Sequence, residues 1–322
     1  MDEMKIRGIN YNLGYGGNVT PFSYSEKLEH IKFISEMLNA NYIGLIGSEP
    51  KEIIGAAAAA LELGLNVWLR PRFINKKIDG AVGSVRSLAK RAEVLRKRFA
   101  NLDLSFAVAN ELSIDGSGIF AGADYGERAS AMSSNFDDPR IPLIGYWGVT
   151  AEEQRALNLG IIKLRDAARE FFHGRITYSA GIWESIRWSG FDVKSYNLYI
   201  SRFTNQWRHL QLLRWLAGSY MPLVVTEIGT ASCDNGIDYG ADAWKELSKG
   251  SAPRYNELEQ ANGVAAQLAN IKAASLPGCF VWTFMENDAR GFGIVRERSG
   301  RLVPKKAFYT VRDFYGHESV SA

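Results

Sequence analysis

The chain has 322 residues, 46% of them apolar and 12% aromatic, enough to bury a sizeable core and unlike a disordered segment. Its 38 Lys and Arg against 35 Asp and Glu leave a formal charge of +3, too balanced to predict a nucleic-acid or membrane-surface binder. Two cysteines, Cys233 and Cys279, exclude a disulfide framework and a Cys-rich zinc site.

Short apolar runs recur along the chain and predict strands at residues 6–11, 42–46, 66–69, 104–109, 176–179, 193–200, 223–226 and 279–284. Most are continuously apolar, as strands covered on both faces are. Helical stripes lie between them. Leu28, Ile31, Ile34 and Leu38 form the first, opened by Ser23 and Glu26 at the spacing of a capping box. Val85, Leu88, Ala92, Leu95 and Phe99 form another. Thr150 and Glu153 open a third, with Leu157, Ile161, Leu164, Ala168 and Phe171 on its apolar face. Trp207, Leu210 and Leu213 seed a helix before the seventh strand, and residues 261–276 form one before the eighth. Between the fifth and sixth strands, residues 184–190 leave room for little more than a turn of helix.

This alternation predicts an α/β protein, a single (β/α)8 TIM barrel over residues 1–322 with long βα loops after strands 4 and 7. An open doubly wound sheet is the rival, and it needs a Gly-rich phosphate turn running into a helix after the first strand. Asn12-Leu13-Gly14-Tyr15-Gly16-Gly17-Asn18 is Gly-rich but leads to no helix at the required spacing. The chain shows no signal-peptide pattern from Met1 to Lys5 and no apolar run of the roughly 18 residues a membrane span needs. A soluble, cytoplasmic protein is expected, with no nucleic-acid or membrane partner; oligomeric state is left open.

Barrel active sites gather at the C-terminal ends of the strands. Strand four ends Ala107-Val108-Ala109-Asn110-Glu111 and strand seven Val224-Val225-Thr226-Glu227-Ile228-Gly229. Strand six ends Tyr196-Asn197-Leu198-Tyr199, and strand eight carries Trp282. A carboxylate after an apolar run is costly unless paired or exposed at the barrel mouth. Two of them across one mouth suit glycoside hydrolysis, in which one carboxyl attacks and the other moves the proton. Each could alternatively cap a helix or pair with an arginine.

With Asn-Glu closing strand four, Thr-Glu-x-Gly closing strand seven, a strand-six Tyr and a strand-eight Trp, the chain resembles the clan A glycoside hydrolases over roughly residues 5–314. Gly291-Phe292-Gly293-Ile294-Val295 and Pro304-Lys305-Lys306-Ala307-Phe308 are similar to that clan's closing segment. Gly236-Ile237-Asp238-Tyr239-Gly240 and the strand-eight segment also resemble bacterial barrels labelled "abortive infection protein". The clan resemblance implies a retaining β-glycosidase acting on a β-linked saccharide, with Glu111 as acid/base and Glu227 as nucleophile. It further implies a hydroxyl contact for Asn110, a hydrogen bond from Tyr199 to Glu227, a sugar floor at Trp282 and a polar first-strand end at Asn10. Many members have an Arg ending strand two, where this chain has Ile46-Gly47-Ser48; Arg70 or Arg72 is the candidate replacement, with Arg72 taken as the substrate contact. Many also have a His where this chain has Asn197, which is taken as substrate-binding. A catalytically degenerate carbohydrate-binding or phage-defence-related barrel is the alternative.

No metal or cofactor is expected. His30, His173, His209 and His317 lie away from strand ends and form no ligand motif. The basic stretch from Arg86 to Arg98 opposes an apolar stripe and reads as a solvated helix face. Cys279 is expected in the core and Cys233 in a loop. Glu49 before Pro50 reads as first-turn helix chemistry. Glu184, between Trp183 and Trp188, is either a structural carboxylate or a substrate contact. Trp68, Trp207 and Trp215 are expected to pack, while Trp147, Trp183, Trp188 and Trp244 fall near the catalytic end. Residues 112–148 are long for a βα loop, as functional walls and lids are.

Overall fold

The computed structural model describes residues 4–14, 23–136, 149–218 and 220–320. Eight parallel strands close into a barrel in chain order: β1 Ile6–Asn12, β2 Tyr42–Gly47, β3 Asn66–Pro71, β4 Leu104–Asn110, β5 Ile176–Gly181, β6 Lys194–Asn197, β7 Leu223–Ile228 and β8 Gly278–Val281. Ile6 pairs with Gly278, which seals β1 to β8. This is the (β/α)8 architecture that the alternating pattern predicts, and the open-sheet rival is excluded by the closure.

The first three helices are α1 Tyr24–Met37, α2 Pro50–Glu62 and α3 Ile78–Arg98. After β4 come α4 Leu112–Asp115, α5 Tyr125–Phe136 and α6 Ala151–Arg169. No helix joins β5 to β6 among the described residues; α7 Gln206–Ala217 precedes β7. Next are α8 Gly236–Tyr239, α9 Ala243–Leu247 and α10 Glu257–Ala273, and the chain ends in a β9 Val295–Arg298, β10 Arg301–Pro304 hairpin and α11 Lys306–Val320. Both capping boxes form, Ser23 with Glu26 on α1 and Thr150 with Glu153 on α6. On α3, Val85, Leu88, Ala92 and Leu95 face the barrel, while Arg86 pairs with Glu170 and Arg98 with Glu62 on the outside. Tyr315 of α11 donates to Gly8 O at 2.8 Å, tying the last helix to the first strand.

The barrel interior is filled by Ile6, Tyr42, Trp68, Ala107, Val193, Val224 and Phe280. Glycine is required at position 8, where a Cβ would overlap the Phe280 ring. Pairing slips between Ala107 and Asn110 on β4, Tyr196 and Asn197 on β6, and Val225 and Ile228 against β8. Such irregularities re-aim side chains at barrel rims, and these lie at the end where the strand-end polar residues sit.

Two expectations of packing fail. The 3.6-residue repeat of α7 puts His209, Leu212, Leu213 and Leu216 on the inward stripe. Trp207 and Trp215 fall outside that stripe and are 68% and 62% exposed. Trp68 does pack, at the centre of the barrel, and both Cys233 and Cys279 are buried. Residues 15–18 of the glycine-rich turn and Trp147 lie outside the described residues. Among the described residues, no helix is long and apolar enough to cross a membrane.

Candidate active site

A cavity of about 630 Å³ opens at the C-terminal end of the barrel, within the range of small-molecule sites. Its wall is built by residues following six strands: Arg72 after β3, Glu111 and Tyr125 after β4, Trp183 after β5, Tyr199 and Phe203 after β6, Tyr239 and Trp244 after β7, and Trp282 and Glu286 after β8. Of the residues singled out in the sequence, Arg72, Glu111, Asn197, Tyr199, Glu227 and Trp282 line it. Asn10 and Asn110 do not; they are buried beneath it. Trp188 packs instead against Phe191 and Tyr196.

Glu227 is the penultimate residue of β7, one place before the strand runs out. Arg70 Nη2 donates to its Oε1 at 2.6 Å and the Tyr199 hydroxyl to its Oε2 at 2.7 Å. Tyr199 lies two residues beyond β6, because that strand stops at Asn197. Arg70 is buried and reaches further, to Asn10 Oδ1 at 2.7 Å, Thr226 O at 3.0 Å, Ser179 Oγ at 3.2 Å and Asn197 Oδ1 at 3.2 Å, as well as Asn110 Oδ1. The cation at this carboxylate is therefore Arg70. Arg72 pairs with Asp115 and stands over the Tyr125 ring. Strand parity carried part of a signal for this: Trp68 faces the barrel axis and Arg70, two residues on, shares its side of β3, whereas Arg72 lies just past the strand's last residue.

Asn10 donates to Thr226 O at 2.9 Å while accepting from Arg70. It therefore positions the arginine and does not meet the cavity. Asn110 accepts from Arg70 through Oδ1, and its buried Nδ2 has no hydrogen-bond partner. Asn197 spans the site: Nδ2 donates to Glu111 Oε1 at 2.8 Å, and Oδ1 accepts from Thr226 Oγ1 at 2.9 Å.

Glu111 follows β4 in a left-handed conformation, φ 38° and ψ 52°, which a non-glycine residue holds only where its surroundings force it. Burial pushes its carboxyl well above the usual carboxylate range, and Glu227 pushes it further, against the opposing pull of Arg72 and Asn197. The neighbouring charge of Glu184 acts in the same upward direction. The two glutamates thus differ in surroundings. One is clasped by a guanidinium and a phenol; the other is held toward its protonated form.

Glu184 does not line the cavity. It is buried behind Glu111 and accepts from Ser113, Tyr178 and Gly181, and burial raises its carboxyl to about 7. Glu49 is the exposed residue at the start of α2, away from the site. Glu286 was not singled out from sequence. It lines the cavity beside Trp282, accepts from Phe292 N at 2.7 Å, and is raised to about 7 by burial. Its place after the apolar run of β8 is a weaker signal than that of Glu111 or Glu227, because four residues of loop intervene after Val281. Among the described residues, no group of three or more His, Cys, Asp or Glu is placed to hold a metal ion.

The barrel aligns with solved glycosidase structures along nearly its whole length. A GH113 β-1,4-mannanase superposes with a TM-score of 0.62 at 15% identity, over 98% of this chain and 99% of that one. The GH113 β-mannanase of Alicyclobacillus acidocaldarius gives 0.59 at 17% identity over 98% and 99% of the two chains. The family 1 β-glucosidase of Thermotoga maritima gives 0.61 at 13% identity over 99% and 98%. The likeness is to the (β/α)8 fold that these glycosidases share. At such identities the likeness is one of fold, and the chemistry rests on this chain's own residues. No family model matches the sequence, and no curated protein matches it.

Proposed function

We propose that this barrel is a retaining β-glycosidase in which Glu227 is the nucleophile and Glu111 the acid/base. The observation that carries the reading is the unlike pair of carboxyls in one cavity, Glu227 between Arg70 and Tyr199 and Glu111 raised by burial and by Glu227. Two carboxyls pushed apart in proton affinity can divide the work of acid and nucleophile.

In the first step Glu227 attacks the anomeric carbon and forms an ester bond, while the glycosidic C–O bond breaks and its oxygen takes the Glu111 proton. In the second, water loses a proton to Glu111 and attacks the same carbon, and Glu227 leaves as carboxylate. Arg70 and Tyr199 hold the nucleophile at a fixed angle throughout. Trp282, on the cavity wall, offers an aromatic face to the sugar, whereas Asn110 lies beneath the cavity and acts through Arg70. No step calls on a cofactor. The mannanase and glucosidase neighbours make β-mannosides and β-glucosides the first substrates to offer.

The test is turnover of aryl β-glycosides and β-1,4-linked oligosaccharides, with the anomer of the first product read by NMR. Retention is expected. Glu111→Gln should lower kcat by about 10²–10⁴-fold on substrates with poor leaving groups, the usual worth of proton transfer, and azide should restore turnover with activated ones. Wild-type rates in Glu111→Gln or Glu227→Gln would end the reading. An inverted product would reassign Glu227 as a base. Binding of oligosaccharides without any turnover would favour a carbohydrate-binding barrel instead.

A further inference from the structure

We propose that Glu184 is a positioning residue for Glu111, its carboxyl clamping the two residues that follow Glu111 and so holding the acid/base aimed into the cavity. The inference rests on the glycosidase reading and adds to it a residue that never meets the substrate.

The clamp is local and complete. Glu184 Oε1 accepts from Ser113 N at 3.1 Å and Ser113 Oγ at 2.5 Å, and Oε2 accepts from Gly181 N at 2.8 Å. The Tyr178 hydroxyl lies 2.8 Å from both oxygens and donates to them, while itself accepting from Leu112 N at 2.6 Å. Trp183 Nε1 closes the cluster by donating to Ser113 Oγ at 2.9 Å. One carboxylate thus fixes Leu112 through Tyr178 and Ser113 directly. On the other side of Glu111, its own N–H donates to Ser179 O at 2.9 Å. The left-handed conformation of Glu111 persists only where its surroundings over-determine it. Here β5 and its following turn supply those surroundings.

The same cluster acts on the proton. The groups facing Glu111 are Glu227 from β7, Arg72 beyond β3, Asn197 and Tyr199 from β6 and its extension, Tyr125 of α5, and Tyr178 and Glu184 from β5 and its turn. Tyr178 and Tyr196 face Glu184 in turn. An ionised Glu184 disfavours ionisation of Glu111, so it helps keep the acid loaded. Removing that charge makes Glu111 easier to ionise and brings the basic limb of the rate profile to lower pH.

Glu184→Gln keeps the side chain's shape but turns an amide N–H₂ toward groups that already donate. With folding verified by circular dichroism, kcat should fall by up to about 10²-fold, the scale of a misaimed catalytic group, with KM within about two-fold. The basic limb should move down in pH. Ser113→Ala removes one donor and leaves the charge, so it should lower kcat without moving the limb. A Glu184→Gln variant with a lowered melting temperature and an unmoved limb would make Glu184 a structural carboxylate and overturn the proposal. If the wild-type protein hydrolyses no glycoside, the functional reading fails separately. The clamp is then read by titrating ¹³C-carboxyl-labelled glutamates by NMR, with Glu111 assigned from Glu111→Gln. A Glu111 midpoint unchanged by Glu184→Gln refutes it there too.

Discussion

Arg70 and Glu227 make an ion pair at 2.6 Å with the arginine side chain fully buried and the glutamate 9% exposed. Arg70→Ala leaves that carboxylate with the Tyr199 hydroxyl as its remaining strong donor and takes from Asn10 Oδ1 its arginine donor, while Thr226 O keeps its bond from Asn10. Breaking a buried pair by removing one partner costs about 3–5 kcal/mol, because the survivor stays buried and charged. For 322 residues, an unfolding entropy near 2.1 cal/mol/K per residue gives about 0.7 kcal/mol per degree, so the melting temperature should fall by roughly 4–7 °C. Glu227→Gln alone should cost much less, since its amide oxygen can still accept from Arg70, whose other acceptors remain. In the double variant no uncompensated carboxylate is left. Its loss should therefore be smaller than the sum of the single losses by about 0.5–3 kcal/mol, or roughly 1–4 °C. Scanning calorimetry of the four proteins at one pH measures this cycle. Losses that add to within about 0.5 kcal/mol would mean that the pair is not coupled, and the role given to Arg70 at the nucleophile would fall with it.

The raised proton affinity of Glu111 has a stability cost with a definite sign. Its carboxyl is held above its ordinary value of 4.5, so the folded state binds more protons than the unfolded one, and stability falls as pH rises from that value through the raised one. Glu111→Gln removes the penalty: its melting temperature should match wild type near pH 4 and exceed it above pH 7 by roughly 1–3 °C, the usual gain when a strained functional group is neutralised. Equal melting temperatures across that range in calorimetric scans would refute the assignment. On α7, Trp207→Ser and Trp215→Ser should each change stability by no more than about 0.5 kcal/mol, since both rings are mostly in solvent. A loss above 2 kcal/mol in denaturant titrations would show that they pack after all.

The order of the barrel is legible in the sequence because each strand is short, apolar and followed by a stripe or a turn. The two capping boxes mark helix starts to the residue. Both glutamates stand out for the same reason: a charge directly after Ala107-Val108-Ala109-Asn110 or Val224-Val225-Thr226 has to be at the mouth or paired. Depth is where the reading stops. Asn110 and Asn197 end their strands and Asn10 lies two residues before the end of β1, yet only Asn197 reaches the cavity. Pairing slips near Asn110 and Asn197 alter the register there, and such a slip leaves no mark in a pattern of period two. Trp207 misled for another reason. An aromatic beside leucines looks like core, and only its angular position on α7 shows that it faces out. Glu184 left its role open because its four donors come from positions 113, 178 and 181, which adjacency in sequence does not bring together.

The absent strand-two arginine has a structural explanation. Ile46, where many clan members end strand two with an arginine nearby, pairs in register with Arg70 of the next strand. The cation beside Glu227 is thus supplied from β3, the strand next to the one on which the resemblance would place it. Gly44 makes the exchange possible, because Asn10 Oδ1 lies where its Cβ would be, and that amide oxygen is one of the acceptors that hold Arg70. From β3 the guanidinium touches β1 at Asn10, β4 at Asn110, β5 at Ser179, β6 at Asn197 and β7 at Thr226 and Glu227. A charge buried this way keeps six polar groups in fixed directions, which pre-organises a nucleophile without solvent. Asn197 completes the link to Glu111 through its Nδ2. Its amide does not titrate, but its hydrogen bond favours ionised Glu111 and, with Arg72, opposes the upward push of burial, Glu227 and Glu184.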